Sequence, residues 1–234
     1  MSEEPEHELV LPPISDNDNI CLPLSINAVA KYWNIDLPIS EANEIASKYA
    51  GMNGSILIEG INLAERHGLS SLIIHSSIPE LKQVIDMGIP PIVILPGLHD
   101  VVQHASIISG YDDKEKTIFH YVPEQKPSEE GIQVGVIPEK RFQKLWSEDG
   151  CLMILLGSSD ILSSLKTDEN KTKSNRLCFE SEKLSLQKQT KETTDSLEKA
   201  IELNPNNSTA LCLLGGILNE QNNPECVSYY EKSL

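Results

Sequence analysis

Basic residues are scarce in this chain of 234 residues. Lys and Arg number 19 against 35 Asp and Glu, which gives a formal net charge of −16. Nucleic acids and anionic membrane surfaces are bound through basic patches, so neither is expected as a partner. No apolar run approaches the roughly 20 residues of a membrane helix. The acidic start MSEEPEHELV also lacks the basic and apolar regions of a signal peptide, so we expect a cytoplasmic protein.

Paired cysteines and metal-binding patterns are lacking as well. The five cysteines form no CxxC pair, and the six histidines show no zinc-type spacing with them. In a reducing cytoplasm most of the cysteines are expected as free thiols, and no metal or other cofactor is expected. Aromatic residues make up only 5% of the chain against 39% hydrophobic residues, so the core should be mostly aliphatic.

The composition divides the chain near Asp160. Residues 1–160 carry 24 acids and 10 bases, a net charge of −14, whereas residues 161–234 carry 11 acids and 9 bases, a net charge of −2. The stretch LKTDENKTKSN is almost entirely polar and predicts a solvated segment. We therefore expect a globular domain over residues 1–159, a polar linker over 160–190 whose end could be helical, and helices over 191–234.

The first half of the globular domain has helical patterns. Four apolar residues share one face of a helix that begins just after Cys21, namely Ile26, Val29, Ala30 and Trp33. Further helices are expected over residues 40–49 and 55–67. The sequence Ser-Ile-Pro-Glu over residues 77–80 has the pattern of a capping box with an early proline, and predicts a helix that ends at Gly88.

The second half of the domain predicts strands. Short apolar runs bounded by polar turns are typical of buried strands, and they occupy residues 91–95, 104–110, 117–122, 132–137 and 151–156. A short helix is expected over residues 139–146, before the last of these strands. Helices followed by mostly antiparallel strands are the order of an α+β fold.

Cys21 lies where a loop turns into the first predicted helix, with Pro23 at an early helical position. The first N–H groups of a helix lack partners and its N-terminus carries partial positive charge, so both favour a thiolate there. A nucleophilic cysteine also needs a base. His104 opens a buried strand and is a candidate base, while a structural role for either residue stays open at this point.

Two segments resemble the C39-like branch of the papain-like cysteine peptidases. DNDNICLPLSINAVAKYW resembles the nucleophile helix of that family, and HASIISGYDD resembles its catalytic-histidine strand. The intervening and following segments match its usual helices and strands, so the similarity spans about residues 10–157. The resemblance implies a papain-like fold, with Cys21 as nucleophile and His104 as general base. It also implies a peptide or protein substrate, cleaved without a cofactor.

One departure from the family pattern concerns the oxyanion hole, the set of donors that stabilises the charged oxygen formed during attack. Ser15 stands where the family usually has a Gln whose side chain helps to form this hole. Asn17 and Asn19 are the alternative amide donors on the same loop. Loss of one such donor typically lowers the rate by roughly 10²–10³.

A second departure concerns the group that orients the histidine. Val122 stands before a proline where the family places Asp or Asn. His120, on the same strand face, and Asp112, in the preceding turn, are the alternative orienting residues. The alternative to an active peptidase is a catalytically degenerate, peptidase-like module that binds proteins.

The last segment, over residues 191–234, resembles a tetratricopeptide repeat (TPR). DSLEKAIELNPN predicts a helix with an apolar stripe. The repeat has a Leu-Gly pair and later a small residue, and this chain has Leu214-Gly215 and Cys226 at those positions. Leu211 stands where the repeat usually has Trp. The resemblance implies a protein partner that docks on these helices, and an ordinary helical hairpin is the alternative.

Overall fold

The computed structural model of this chain describes residues 7–12, 21–46, 48–49, 56–96, 103–122, 133–148 and 150–234. The chain divides into two compact units. The first comprises Met1–Ser55 and Gly60–Ser164, and the second comprises Ile56–Glu59 and Leu165–Leu234. None of the helices in the described part of the chain combines the length and the hydropathy that a bilayer crossing requires.

The helices of the first unit begin with α1 at Cys21, where the sequence predicts it. All residues from Leu22 to Ala30 are buried, so this helix is enclosed on every side rather than along one stripe. The helices described up to residue 164 are α1 (Cys21–Tyr32), α2 (Ile39–Ala46), α3 (Leu57–Arg66), α4 (Ile78–Asp86), α5 (Glu139–Glu148) and α6 (Ser159–Ser163).

The start of α4 differs in detail from the predicted capping box. Ser77 is the N-cap residue, but its side chain makes no hydrogen bond to the helix backbone. Its hydroxyl instead donates to a carboxylate oxygen of Glu80 at 2.7 Å, and the Ser76 hydroxyl donates to the same oxygen at 3.2 Å. The helix ends at Asp86, and Gly88, with a φ of +77° that favours glycine, follows its C-terminus as the predicted stop.

The described strands are β1 (His7–Glu8), β2 (Ser70–His75), β3 (Ile92–Pro96), β4 (Gln103–Asp112), β5 (Thr117–Val122), β6 (Gln133–Pro138) and β7 (Leu152–Gly157). They form one sheet with the order β2-β7-β3-β4-β5-β6, and β1 adds to β4. Every described pairing is antiparallel. The first unit is therefore an α+β structure, as the sequence predicts.

Two strands of this sheet are absent from the sequence-based prediction. β1 has only two residues and is held by its pairing with Tyr111 and Gly110 of β4. β2 has the sequence SSLIIH, which lies between the end of α3 and the serines that begin α4, and it pairs along its whole length with β7. Both strands depend on partners distant in sequence, and neither has a pronounced alternation of its own.

The core of the first unit is mostly aliphatic, as the composition predicts, with a few buried aromatic side chains. Phe142 and Trp146 of α5 are both 0% exposed, and their ring centroids lie 5.4 Å apart. The indole N–H of Trp146 donates to the carbonyl of Leu152 at 2.8 Å. This pair fixes α5 to the start of β7, beside the sheet that carries the candidate site.

The second unit is helical. Its helices are α7 (Glu169–Leu186), α8 (Thr190–Leu203), α9 (Ser208–Glu220) and α10 (Cys226–Ser233), and consecutive helices pack against one another. A buried cluster joins the first three of them and consists of Cys178, Leu197, Ala200, Ala210 and Leu214. In the same unit Lys183 forms an ion pair with the buried Glu59 at 3.2 Å.

The structure differs from the expected polar linker over residues 160–190, because α7 occupies most of it. The Asp168 carboxylate caps this helix by accepting from the N–H groups of Asn170 and Lys171. Its buried residues are small or polar: Ser174, Asn175, Cys178 and Ser181. A helix whose buried face lacks large apolar residues has no visible hydrophobic periodicity, which explains the difference.

Candidate active site

Cys21 is the first residue of α1, and its sulfur lies against strand β4. The thiol is half-buried, and its Sγ accepts a hydrogen bond from the backbone N–H of Ala105 at 3.5 Å. Ala105 directly follows His104, so the structure brings the predicted nucleophile to the strand that carries the predicted base.

His104 lies on β4 opposite Leu95 of β3 and is half-buried. Burial lowers the pKa of its imidazole below the ordinary value of 6.5, because the charged form loses hydration. The ring is therefore neutral at pH 7 and has one nitrogen free to accept a proton. Among the residues that the structure describes, no side chain forms a hydrogen bond with this ring.

The register of the sheet places further polar residues on the His104 face. Side chains alternate along a strand, so His104, Ser106 and Ile108 point to the same side of β4. His120 of β5 lies opposite Ile108, and Gly135 of β6 lies opposite His120. This row of residues forms one continuous strip across three strands.

His120 is anchored at both edges of its ring. Its Nδ1 lies 3.3 Å from the hydroxyl of Ser106, while its Nε2 lies over Gly135. A Cβ atom at position 135 would stand 2.1 Å from Nε2, so only glycine leaves space for the ring. Burial lowers the pKa of His120, and a positive charge on His104 lowers it further. A charge on His104 thus disfavours a charge on His120.

The two histidines do not lie opposite each other in the sheet, because His120 pairs with Ile108. His120 lies four residues along the sheet from the position opposite His104, which corresponds to roughly 13 Å. Its hydrogen bond goes to Ser106 instead. An effect of His120 on the chemistry of His104 therefore stays a prediction.

Asp112 does not reach the site. It ends β4, eight residues beyond His104 and so roughly 25 Å along the strand. Its carboxylate accepts hydrogen bonds from the N–H groups of Lys114 and Glu115 at 2.7 and 2.9 Å, which stabilises the turn to β5. Asp112 is therefore a turn residue, and the interpretation of Asp112 as an orienting group is wrong.

The remaining predicted site residues lie in parts of the chain that the structure does not describe. Ser15, Asn17 and Asn19 all fall within residues 13–20, outside the described ranges. For Val122 only the backbone is described, and it pairs with Gln133. The oxyanion donors thus stay predictions. Among the described residues no cluster of three or more His, Cys, Asp or Glu side chains could hold a metal ion.

Ser106 and Gly135 are the residues that sequence-based reasoning missed. Both had a signal in the sequence. The spacing His-x-Ser within a predicted strand places both side chains on one face, and a glycine inside a strand indicates close approach of another group. The identity of that group depended on strand register.

Comparisons with known proteins gave matches only among solved structures. No protein-family profile matches the chain, and no curated protein matches it. One similar structure is the peptidase domain of Streptococcus ComA, a bifunctional ABC transporter involved in quorum sensing. It is 21% identical, with a TM-score of 0.48, over 66% of this chain and 100% of that chain.

Two further structures are similar at comparable levels. A double glycine motif protease from an AMS/PCAT transporter, solved in complex with the leader peptide, is 14% identical with a TM-score of 0.48. The match covers 66% of this chain and 96% of that chain. The peptidase domain of Streptococcus mutans ComA is 18% identical with a TM-score of 0.40, over 63% of this chain and 98% of that chain.

Proposed function

We propose that the first unit is a C39-like, papain-fold thiol hydrolase that cleaves peptide or amide bonds through Cys21 and His104. The observation that carries the proposal is the hydrogen bond from the N–H of Ala105 to the Cys21 sulfur. It brings a thiol at a helix N-terminus to the strand segment that begins with the half-buried His104. The α+β order of helices before an antiparallel sheet agrees with this fold.

The lowered pKa of His104 sets the form of the mechanism. The neutral imidazole accepts the thiol proton of Cys21 as the sulfur attacks the carbonyl carbon of the substrate. The resulting imidazolium donates that proton to the leaving amine as the carbon–nitrogen bond breaks, which leaves a thioester on Cys21. His104 then takes a proton from water, the hydroxide attacks the thioester, and the acid product and free thiol are formed.

A second candidate function is a catalytically degenerate module that binds peptides or proteins without cleaving them. It is favoured by the lack of a hydrogen-bond partner for the His104 ring among the described residues. In triads the orienting group fixes the histidine tautomer, and its loss lowers turnover by roughly 10⁴. Binding of a peptide at the same site would not need that group.

For the second unit we propose TPR-like docking of a protein partner. The helices form two consecutive hairpins, α7 with α8 and α9 with α10. Gly215 packs against Tyr230, since a Cβ at position 215 would lie 3.1 Å from that ring. A small residue that admits a large side chain from the next helix is the interlocking expected of this repeat.

Cleavage of a peptide library distinguishes hydrolysis from binding alone. The full chain, a Cys21→Ala variant and a Cys212→Ala control are each incubated with internally quenched peptides of random sequence. We expect fluorescence release by the wild type and by the control but not by Cys21→Ala, with an acyl adduct on Cys21 in intact-mass spectra. Peptide binding without release by all three proteins would support the degenerate module.

A further inference from the structure

Ser106 is a buried polar side chain whose hydrogen-bonding capacity is only partly used. It is 0% exposed, and its Oγ lies 3.3 Å from the carbonyl oxygen of Tyr121 and 3.3 Å from Nδ1 of His120. A hydroxyl has one hydrogen and two lone pairs, and a carbonyl can only accept. The hydrogen of Ser106 therefore goes to Tyr121, and one lone pair accepts the Nδ1–H of His120. In the part of the chain that the structure describes, no donor occupies the second lone pair.

This remaining acceptor stands beside His104. Residues i and i+2 of a strand point to the same side and lie about 6.6 Å apart. Once the ring of His104 turns toward Ser106, one ring nitrogen comes to about 2.9 Å from the serine hydroxyl oxygen, which is a hydrogen-bond distance. Catalytic hydrogen bonds are often long in a free enzyme and shorten when substrate binds.

The ring of His120 keeps the Ser106 hydroxyl in this orientation. It is held over Gly135, where no side chain competes for space. Among the described residues, His104 and His120 are the titratable groups of this strip, and the Cys21 sulfur of α1 contacts β4 at Ala105. Strands β3 and β6 have no titratable side chain in their described ranges, and Tyr121 points to the other face of β5.

We propose that Ser106 is the positioning residue for His104. It has the role that the resemblance assigns to an Asp or Asn. By accepting the ring N–H of His104, Ser106 leaves the other imidazole nitrogen free to accept the proton of Cys21. His120 and Gly135 act through Ser106, because they fix the hydroxyl whose lone pair His104 uses. This inference rests on the proposed roles of Cys21 and His104.

The test uses the full chain and measures the His104 tautomer directly. Long-range ¹H–¹⁵N spectra of the imidazoles are recorded at pH 7.5, and the His104 signals are identified by their absence in His104→Gln. We expect a single His104 tautomer in the wild type and a mixture of tautomers in Ser106→Ala. Ser109→Ala is the matched control, because Ser109 is a buried serine of β4 whose hydroxyl, among the described residues, donates to a backbone carbonyl, that of Phe119, and to no histidine.

Alkylation of Cys21 by iodoacetamide gives the second measurement. Loss of one neutral hydrogen bond to the base should slow alkylation about tenfold in Ser106→Ala. Ser106→Thr keeps the hydroxyl and should retain both the wild-type tautomer and most of the wild-type rate. This variant also tests the inference if Ser106→Ala does not fold, since a changed tautomer in folded Ser106→Thr contradicts it.

The two measurements separate this inference from the proposed function. An unchanged His104 tautomer in folded Ser106→Ala overturns the role of Ser106, even where Cys21 alkylation depends on His104. A tautomer change in Ser106→Ala together with an inert wild-type Cys21 refutes the proposed hydrolase and supports the contact between Ser106 and His104. Equal effects of Ser106→Ala and Ser109→Ala would show a general loss of sheet packing and also overturn the inference.

Discussion

Cys21 differs from the other cysteines in what surrounds its sulfur. It combines partial exposure, a helix N-terminus and an N–H donor from Ala105. Burial raises the pKa of Cys178 to about 12, and it also raises the pKa of Cys151. Cys212 is exposed but lies inside α9, away from any helix start. Of the five cysteines, Cys21 is the one that combines partial exposure, a helix start and a backbone N–H donor.

We therefore expect Cys21 to be the first thiol alkylated by a substoichiometric amount of iodoacetamide at neutral pH. Its sulfur is partly exposed, stands at a helix start and accepts an N–H hydrogen bond, and these features together make it the expected nucleophile. Peptide mapping by mass spectrometry identifies the labelled site, and Cys21→Ser is the control that should shift labelling to Cys212. Labelling of Cys212 before Cys21 in the folded wild type would contradict the proposal of an activated nucleophile.

The pH dependence of this alkylation should report on His104. Burial lowers the pKa of His104 below 6.5. The neutral, proton-accepting imidazole therefore predominates down to pH 6.5 and is lost only at lower pH. We expect the wild-type rate to decline with a midpoint below 6.5, and we expect this decline to be absent in His104→Gln. Rates measured from pH 4.5 to 8 check it, and a midpoint above 6.5 would count against burial as the dominant effect.

His120 should affect the same rate through its bond to Ser106. His120→Ala removes the donor that holds the Ser106 hydroxyl and should slow Cys21 alkylation several-fold, by about the value of one hydrogen bond. His120→Asn keeps an N–H donor and should retain part of the rate. His75→Asn on the exposed edge strand β2 is the control. Equal rates in wild type and both His120 variants would remove His120 from the site.

At the scale of elements, strand β4 organises the first unit. It pairs with β3, β5 and β1, and it receives the Cys21 sulfur near its beginning. A register shift lies between Ile108 and Gly110, just before the segment that pairs with β1. The irregularity lets one strand bind β3 along its first half and β1 near its end.

Gly110 is required for the addition of β1. A Cβ at this position would lie 2.3 Å from the carbonyl oxygen of His7. Gly110→Ala should therefore displace β1 and lower the free energy of unfolding by about 1–3 kcal/mol. Denaturant unfolding measures this loss. Gly216→Ala in α9 is the control, since its Cβ would meet only the Tyr230 hydroxyl at 3.8 Å and should leave stability unchanged or raised.

At the scale of the whole molecule, the two units define a boundary that is later than the expected one. The first unit extends to Ser164 and includes α6, whereas the sequence places the end of the first domain at residue 159. In α6 the side chain of Leu162 is 4% exposed, and Ile161 packs against Gly157 of β7. The helix therefore belongs to the core of the first unit.

Two truncated chains test this boundary. A chain of residues 1–164 should unfold cooperatively and keep the wild-type rate of Cys21 alkylation. A chain of residues 1–159 loses Ile161 and Leu162, and should be less stable by about 2–4 kcal/mol on the basis of buried apolar area. Thermal unfolding and alkylation of both chains check the difference. Equal stability of the two truncated chains would show that the first unit ends at residue 159, as the sequence predicts.

The sequence by itself determined the elements whose pattern is local. The start of α1 at Cys21 follows from an apolar helix behind an early proline, and the bounds of β5 are those predicted, residues 117–122. The α+β class follows from the order of such elements. These elements could be predicted because the apolar face of a helix or strand is formed by residues that are close in sequence, so its period is visible in a short segment.

Only the tertiary structure decided which residues meet. Two elements are stabilised mainly by their partners: β2 pairs with β7, and α7 packs its small polar residues against α8. The contacts between Cys21 and Ala105, Ser106 and His120, and His120 and Gly135 join positions 84, 14 and 15 residues apart. Strand register fixes these neighbours, and register depends on how the whole sheet packs rather than on any single segment.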